Sequence, residues 1–520
     1  MRSTRSIKIR GLCLLCCGLL MLSLMGNAPA AGLNDELSFA VKSVKTRKLN
    51  PLVAVEREVQ SVLNLIYEPL VKLNDAYDPV PGLGLALKWE CSGDGKTWTF
   101  KLRDDVRFHD GTPMTSADVV ATINEILRLG ENNEGQYQTL KYIVSNAAVN
   151  DDTEIVITAK RPCYGLLYAM TFPVLKADEV QADNPVGTGP YRVIAFDPEI
   201  QLLLNAFTDW HNGTAGYKEL NFAFFDENKD LLTEYEYKRV DSIITRSATA
   251  AQYRGGNSSL NVTYRTNQLE VMMMNFSAFP LDDKEIRLAI RYSIDIDAIA
   301  EQVYGDMVLR TNTPLIPDTW TYYDSGEVKY DPDKAAEILA AKGWRDTDDD
   351  GVLDMIRDGS KRNLALRIYV YEEQENSVRI QAANLIADYL IRLGINATVK
   401  TMTFSEAAEK LSKRSYDLCL CAFQMDLVPD PGFLLMKGNT ANYMGYRSDD
   451  MDALFKKLRS ATAKDAYRSA LHEIQALFLK DCPFVCLYYR TGTILTRRLF
   501  TNVMDVREPE VLRGIEYAEP

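Results

Sequence analysis

The chain has 520 residues, too many for one hydrophobic core, so two or three domains are expected. Hydrophobic residues make up 46% and charged residues 25%, ordinary proportions for a globular protein. A net charge of −13, with no Lys/Arg-rich run after residue 10, excludes nucleic acid as a partner, because that affinity rests on basic patches.

Arg2, Arg5, Lys8 and Arg10 precede the apolar run Gly11 to Met25, which is short for a membrane span. Ala28-Pro29-Ala30 then puts small residues where a signal peptidase reads them. Residues 1–30 are therefore expected to be a signal peptide cleaved after Ala30, with an uncleaved anchor as the competing reading. Six cysteines follow residue 30, too few for a disulfide scaffold. Cys419 and Cys421 sit two apart and Cys482 and Cys486 four apart, each pair in an apolar strand-like run. Buried thiols are favoured over a cross-strand disulfide or a four-thiolate metal site, since neither spacing is the usual zinc one.

Leu37–Val41 reads as a first strand, and Val55–Leu70 as a helix with Val59, Val62, Leu63 and Ile66 in apolar period. Asp75–Gly84, rich in Asp, Pro and Gly, breaks the pattern and marks a domain crossing. Trp98, Phe100 and Leu102 alternate with polar residues, the signature of a half-buried strand. Asp110-Gly111 turns the chain, and Ser116 is placed to cap the next helix. Ile155–Ile157 is another strand. In Pro185–Tyr191 the Gly187-Thr188-Gly189 sequence suggests a phosphate cradle, but no further glycine or lysine follows at the required spacing, so a structural turn is expected.

Val271–Phe276 reads as a core strand carrying three methionines, with an adaptable pocket lining as the weaker alternative. Asp282 to Ile299 reads as one helix, and Tyr330–Leu339 as a capped one. Asp346, Asp348, Asp350 and Gly351 match the opening of a calcium loop. Arg357 stands where its bidentate glutamate belongs, so a solvated acidic turn is favoured. Strand Leu366–Tyr371, helix Val378–Leu393 and strand Ile395–Val399 alternate, which implies parallel pairing. Asp417–Phe423 is a buried strand that ends in the loop Gln424–Pro431. Carboxylates at such a strand end are where open α/β sheets place ligand contacts, and Asp426 is the first charge after Asp417.

Several strings are specific together. The segment Trp98–Val120, with Tyr67-Glu68-Pro69-Leu70, Pro81-Gly82-Leu83, Val186–Tyr191 and the helix bearing Ile286-Arg287, Ala289, Tyr292 and Asp295, resembles the solute-binding proteins of peptide and oligopeptide ABC importers, extracellular solute-binding protein family 5. The resemblance spans roughly residues 35 to 515. It implies an α/β fold of the periplasmic-binding-protein-like type II, two lobes joined by a hinge with an extra small α+β domain. Lobe I would comprise residues 31–72, 185–270 and 488–520, the inserted extra domain 73–184, and lobe II 271–487. Such a protein is not an enzyme and needs no cofactor or metal. It captures extracellular peptides between its lobes, as a monomer in the periplasm or on the outer face of the membrane, and delivers them to permease subunits.

In peptide-binding members an aspartate at the place of Asp426 takes the ligand's terminal ammonium. The interval to Asp430 is one residue longer than the common pattern, and Phe423 stands where tryptophan is frequent, so Asp430 is the alternative carrier of that role. A plainer alternative makes the loop aspartate a cap for Phe433–Leu435. Gln424, Asn442 and Tyr443 are further candidate contacts, with Arg57 and Glu58 from the opposing lobe. Within the same fold a nickel chelate or an oligosaccharide is the alternative ligand, and a peptide-sensing surface receptor the alternative role. A hydrolase is disfavoured: His109, His211 and His472 are far apart, and no Gly-x-Ser-x-Gly, His-Glu-x-x-His or Walker motif is present.

Overall fold

The computed structural model describes residues 35–43, 47–54, 56–247, 253, 259–324, 328–373, 377–498 and 506–518, with the side chains of residues 57, 58 and 228 left out. The expected signal peptide lies outside the described residues.

Two long strands organise the chain. Leu260–Met274 and Phe484–Thr496 run antiparallel through the middle of an 11-stranded sheet. At one end they lie beside Ser242–Thr245, followed outward by Glu36–Lys42, Glu219–Phe225, Gln201–Ala206 and Tyr191–Asp197. At the other end Leu418–Gln424 pairs with Leu260–Met274, and Ala365–Tyr371 and Asn396–Met402 complete the path. The same two strands thus belong to both lobes. Their register slips between Arg265 and Leu269 and again between Glu270 and Val271. A bulge of this kind bends the strand and re-aims its side chains.

Local chemistry accounts for the elements around this spine. Ala365–Tyr371 pairs in parallel with both Asn396–Met402 and Leu418–Gln424, as the helix–strand alternation implied. Helix Val378–Arg392 covers them with Ala382, Ala383, Ile386 and Leu390. Met272, Met273 and Met274 are fully buried and alternate between the two cores on either side of the sheet. Cys419, Cys421, Cys482 and Cys486 are buried free thiols, and Cys163 and Cys91 are also unpaired.

A separate four-stranded antiparallel sheet, in the order Ala86–Cys91, Thr97–Leu102, Glu154–Ala159 and Val144–Asp151, forms the extra domain. Trp98, Phe100 and Leu102 point into its core. Its helix, Ser116–Glu131, is capped one residue earlier than the sequence suggested. Thr115 holds the extended cap geometry, and the Asp118 carboxylate accepts from its N–H at 2.8 Å. Ser116 is already helical, and its hydroxyl donates to the Asp151 carbonyl.

Asp282–Ile299 also differs from expectation, dividing into Lys284–Ser293 and Ile296–Tyr304. Asp295 is the reason: its carboxylate accepts from Ala298 N–H at 2.9 Å, which starts a new helix where the old one would have continued. In the acidic turn, Asp346 accepts from the N–H groups of Asp350 and Gly351, while Lys361 pairs with Asp348 and with buried Asp354. Arg357 ends a strand there and not a second helix.

The Gly187-Thr188-Gly189 turn lies against the end of helix Arg57–Ile66. Gly189 N–H donates to Ile66 O at 2.9 Å, and a Cβ on Gly187 would fall 1.9 Å from that same oxygen. Gly187→Ala is therefore expected to destabilise the protein by roughly 1–3 kcal/mol, read as a lower urea midpoint with unchanged slope. His109, in the turn before helix Ser116–Glu131, joins the same region: its Nε2 lies 3.0 Å from Gly189 O. Burial lowers the pKa of its ring to about 4.

Candidate functional site

The loop that follows strand Leu418–Gln424 faces a cavity of about 430 Å³. The bulged part of Leu260–Met274 and the segment ending Glu508-Pro509 make its floor, and Gln136–Leu140 with Tyr168–Thr171 from the extra domain make its roof. Gln60, on helix Arg57–Ile66, closes one side. The cavity is thus built where the lobes, the crossing strands and the extra domain meet. A narrower recess of about 30 Å³ lies behind the loop, against Tyr77, Tyr168, Pro314 and Tyr489.

Asp426 is exposed to this space and has no cationic partner among the described residues. One carboxylate oxygen accepts from Val428 N–H at 3.2 Å and the other from the Thr139 hydroxyl at 2.6 Å, across the cleft from the extra domain. The remaining charged residue on the wall, Glu508, is paired with Arg246. No Lys, Arg or His is among the described lining residues. Burial, and then the charge of Asp426, push the Tyr137 phenol far above its usual range. A carboxylate without a cationic partner, facing such a cavity, attracts a cation.

Asp430 is placed differently. Arg459 holds it through two hydrogen bonds of 2.6 and 3.0 Å, and it accepts from Gly432 N–H at the start of the short helix Gly432–Leu435. Asp430 is thus tied to Arg459 and to the backbone at the start of that helix, while Asp426 faces the cavity. Gln424 lines the cavity beside it. Phe423 does not appear on that wall: it stacks on Tyr443, with centroids 6.3 Å apart, and meets Phe433 edge-on. Asn442 is buried and spends its carboxamide on the turn, donating to Met436 O and Tyr446 O and accepting from the N–H groups of Gly445 and Tyr446. Arg57 and Glu58 begin the helix that carries Gln60, and their side chains lie outside the described residues.

Sequence reasoning missed Thr139, Asn267 and Glu508. The polar triplet Thr266-Asn267-Gln268, interrupting a long apolar strand, was the available signal for Asn267.

Below the floor lies a buried ion cluster. Glu270, fully buried, accepts from Arg379 at 2.7 and 2.9 Å and lies 2.7 Å from Arg490. Glu373 pairs with both guanidinium groups, and Gln268 donates to Glu270 at 3.0 Å. Burial alone would push the Glu270 carboxyl up, but the two arginines outweigh it and hold it at about 2.

A two-lobed α/β body with an acidic crevice at the crossing of its lobes is the architecture of a solute-binding protein. The model of bacterial extracellular solute-binding proteins, family 5 Middle, matches residues 80–445, and the chain belongs to that family. It is a solute-binding protein of ABC transport and not an enzyme. It is similar to the oligopeptide-binding protein AppA of Bacillus subtilis, 25% identical over 515 residues, which cover 90% of this chain and 86% of AppA. It is also similar to the probable D,D-dipeptide-binding periplasmic protein DdpA of Escherichia coli, 22% identical over 500 residues, covering 91% and 92%. Two solved structures share the fold. AppA in complex with a nonapeptide has a TM-score of 0.67 at 21% identity, covering 93% of this chain and 99% of AppA. NikA from Brucella suis in complex with Fe(III)-EDTA has a TM-score of 0.78 at 18% identity, covering 93% and 99%. No helix among the described residues is long and apolar enough to cross a membrane.

Proposed function

We propose that this protein captures extracellular peptides in the interlobe cavity and delivers them to the permease of an ABC importer, with Asp426 holding the peptide's terminal ammonium. The observation that carries this reading is the Asp426 carboxylate, turned into a cavity whose described walls hold no cation. An extended peptide taken out of water also needs partners for its amides, and a cleft floored by strands and lined by Gln60, Gln136 and Asn267 offers them. The proposal includes export by the leader in residues 1–30 and lobe boundaries near residues 270 and 487, close to where the two long strands cross.

A metal chelate is the second reading, favoured by the higher TM-score of NikA. An anionic chelate would need a cation in the wall, and the described lining has none. Incubating the exported form with a mixed peptide library and identifying retained species by mass spectrometry tests the choice. Retention of short peptides with free amino termini is expected. Retention of a metal chelate or sugar, with no peptide bound, would overturn the proposal.

A further inference from the structure

The cavity floor contains a polar group with no hydrogen-bond partner among the described residues. Between Arg265 and Leu269 the ladder to Phe484–Thr496 slips, and Thr266, Asn267 and Gln268 leave it. Thr266 pins the bulge: its hydroxyl donates to Arg490 O at 2.7 Å and accepts from Gln268 N–H at 3.2 Å. The Asn267 backbone is also engaged, its carbonyl accepting from Met425 N–H at 2.8 Å and its N–H directed at Glu508 Oε2 at 3.4 Å.

The two neighbouring carboxamides then diverge. Gln268 is used at both ends, donating to Glu270 at 3.0 Å and accepting from Arg246 at 3.2 Å. Asn267 is 7% exposed and lines the cavity, yet its Oδ1 has no hydrogen-bond partner among the described residues. A buried acceptor left unmatched in this way bears its full desolvation cost, so its presence calls for a partner absent from the protein alone. A carboxamide offers an acceptor and donors side by side, the complement of a peptide unit.

We propose that Asn267 is a ligand-binding residue whose Oδ1 accepts from the first peptide N–H of the bound peptide. This rests on the reading of Asp426 as the ammonium site. The geometry joins the two: Asn267 O receives Met425 N–H, and Asp426 is the next residue, so carboxamide and carboxylate serve adjoining positions on one wall. Successive groups of an extended peptide are about 3.3–3.6 Å apart per residue, a step that such neighbours can match. Because Asn267 stands on the bulge of a strand common to both lobes, this bond would tie recognition of the ligand backbone directly to the point where the lobes join.

The test is a cycle read by calorimetry with trialanine and its analogue methylated at the first peptide nitrogen, which lacks that donor. Wild type is expected to bind trialanine, and Asn267→Ala to bind it about 10-fold more weakly. For the methylated analogue the two proteins are expected to bind alike, and the melting temperature of Asn267→Ala is expected not to fall, because no internal bond of the side chain is lost. Equal losses for both ligands, or no loss for trialanine, would overturn the role of Asn267 while leaving the peptide reading in place. Failure of wild type to bind trialanine would overturn both.

Discussion

An Asp426→Asn variant is expected to bind peptides with free amino termini about 10- to 150-fold more weakly than wild type, while N-acetylated peptides change little. The range is that of a hydrogen bond to a charged group, about 1.5–3 kcal/mol, expressed as a ratio of dissociation constants. Asparagine preserves the shape of the side chain: its Oδ1 can still accept from Val428 N–H, and its NH2 can donate to the Thr139 hydroxyl oxygen, so the loop should keep its form. What disappears is the charge, and with it the preference for an ammonium over a neutral amide. Calorimetry with matched free and acetylated peptides reads the difference directly. Losses of the same size for both ligands would remove Asp426 from the amine site. Asp430 would not inherit the role, because Arg459 already occupies its two oxygens.

The larger effect on stability is expected at Glu270. Replacing it by glutamine leaves Arg379 and Arg490 buried, with Glu373 as the carboxylate that still pairs with them among the described residues. Removing one partner from a buried ion cluster costs about 3–5 kcal/mol, because the remaining charge can no longer be solvated or matched. Urea unfolding at neutral pH should show that loss. The dependence on pH has a definite sign. Burial raises the Glu270 carboxyl and the arginines lower it further, so the folded value of about 2 lies below the ordinary 4.5. Its contribution to stability is therefore complete above pH 4.5 and declines as the pH falls toward 2. The gap between wild type and Glu270→Gln should narrow over that interval. A gap that stays constant down to pH 2 would show that the cluster stabilises the fold by packing and not by charge.

Much of this architecture could be read from local pattern. Trp98, Phe100 and Leu102 alternate because one face of their strand meets the extra domain's core. The run Val271–Met274 is apolar because the sheet is covered on both faces there. Asp426 stood out as a candidate because a charge soon after a buried strand has few places to go, and the structure lines the cavity with it. Other features were not local. Thr139 meets Asp426 across 287 residues of chain, and Glu508 approaches Asn267 across 241. No window of sequence contains such a pair. Asn442 and Tyr443 illustrate the opposite difficulty. Family strings record whatever the fold needs, and Asn442 is a turn residue whose four bonds are all internal. The helix expected through Asp295 failed on a single side chain, one that competes better for the backbone N–H of Ala298 than the next carbonyl does.

The chain passes between its halves on two neighbouring strands that hydrogen-bond to each other, so the halves hang on a ribbon and not on two loose threads. A ribbon gives way across its face far more readily than it shears or swivels within its own plane. In the proposed role such a ribbon is expected to confine opening to a single swing, like a door hung on two pins, so that closing would return the same walls to the same place.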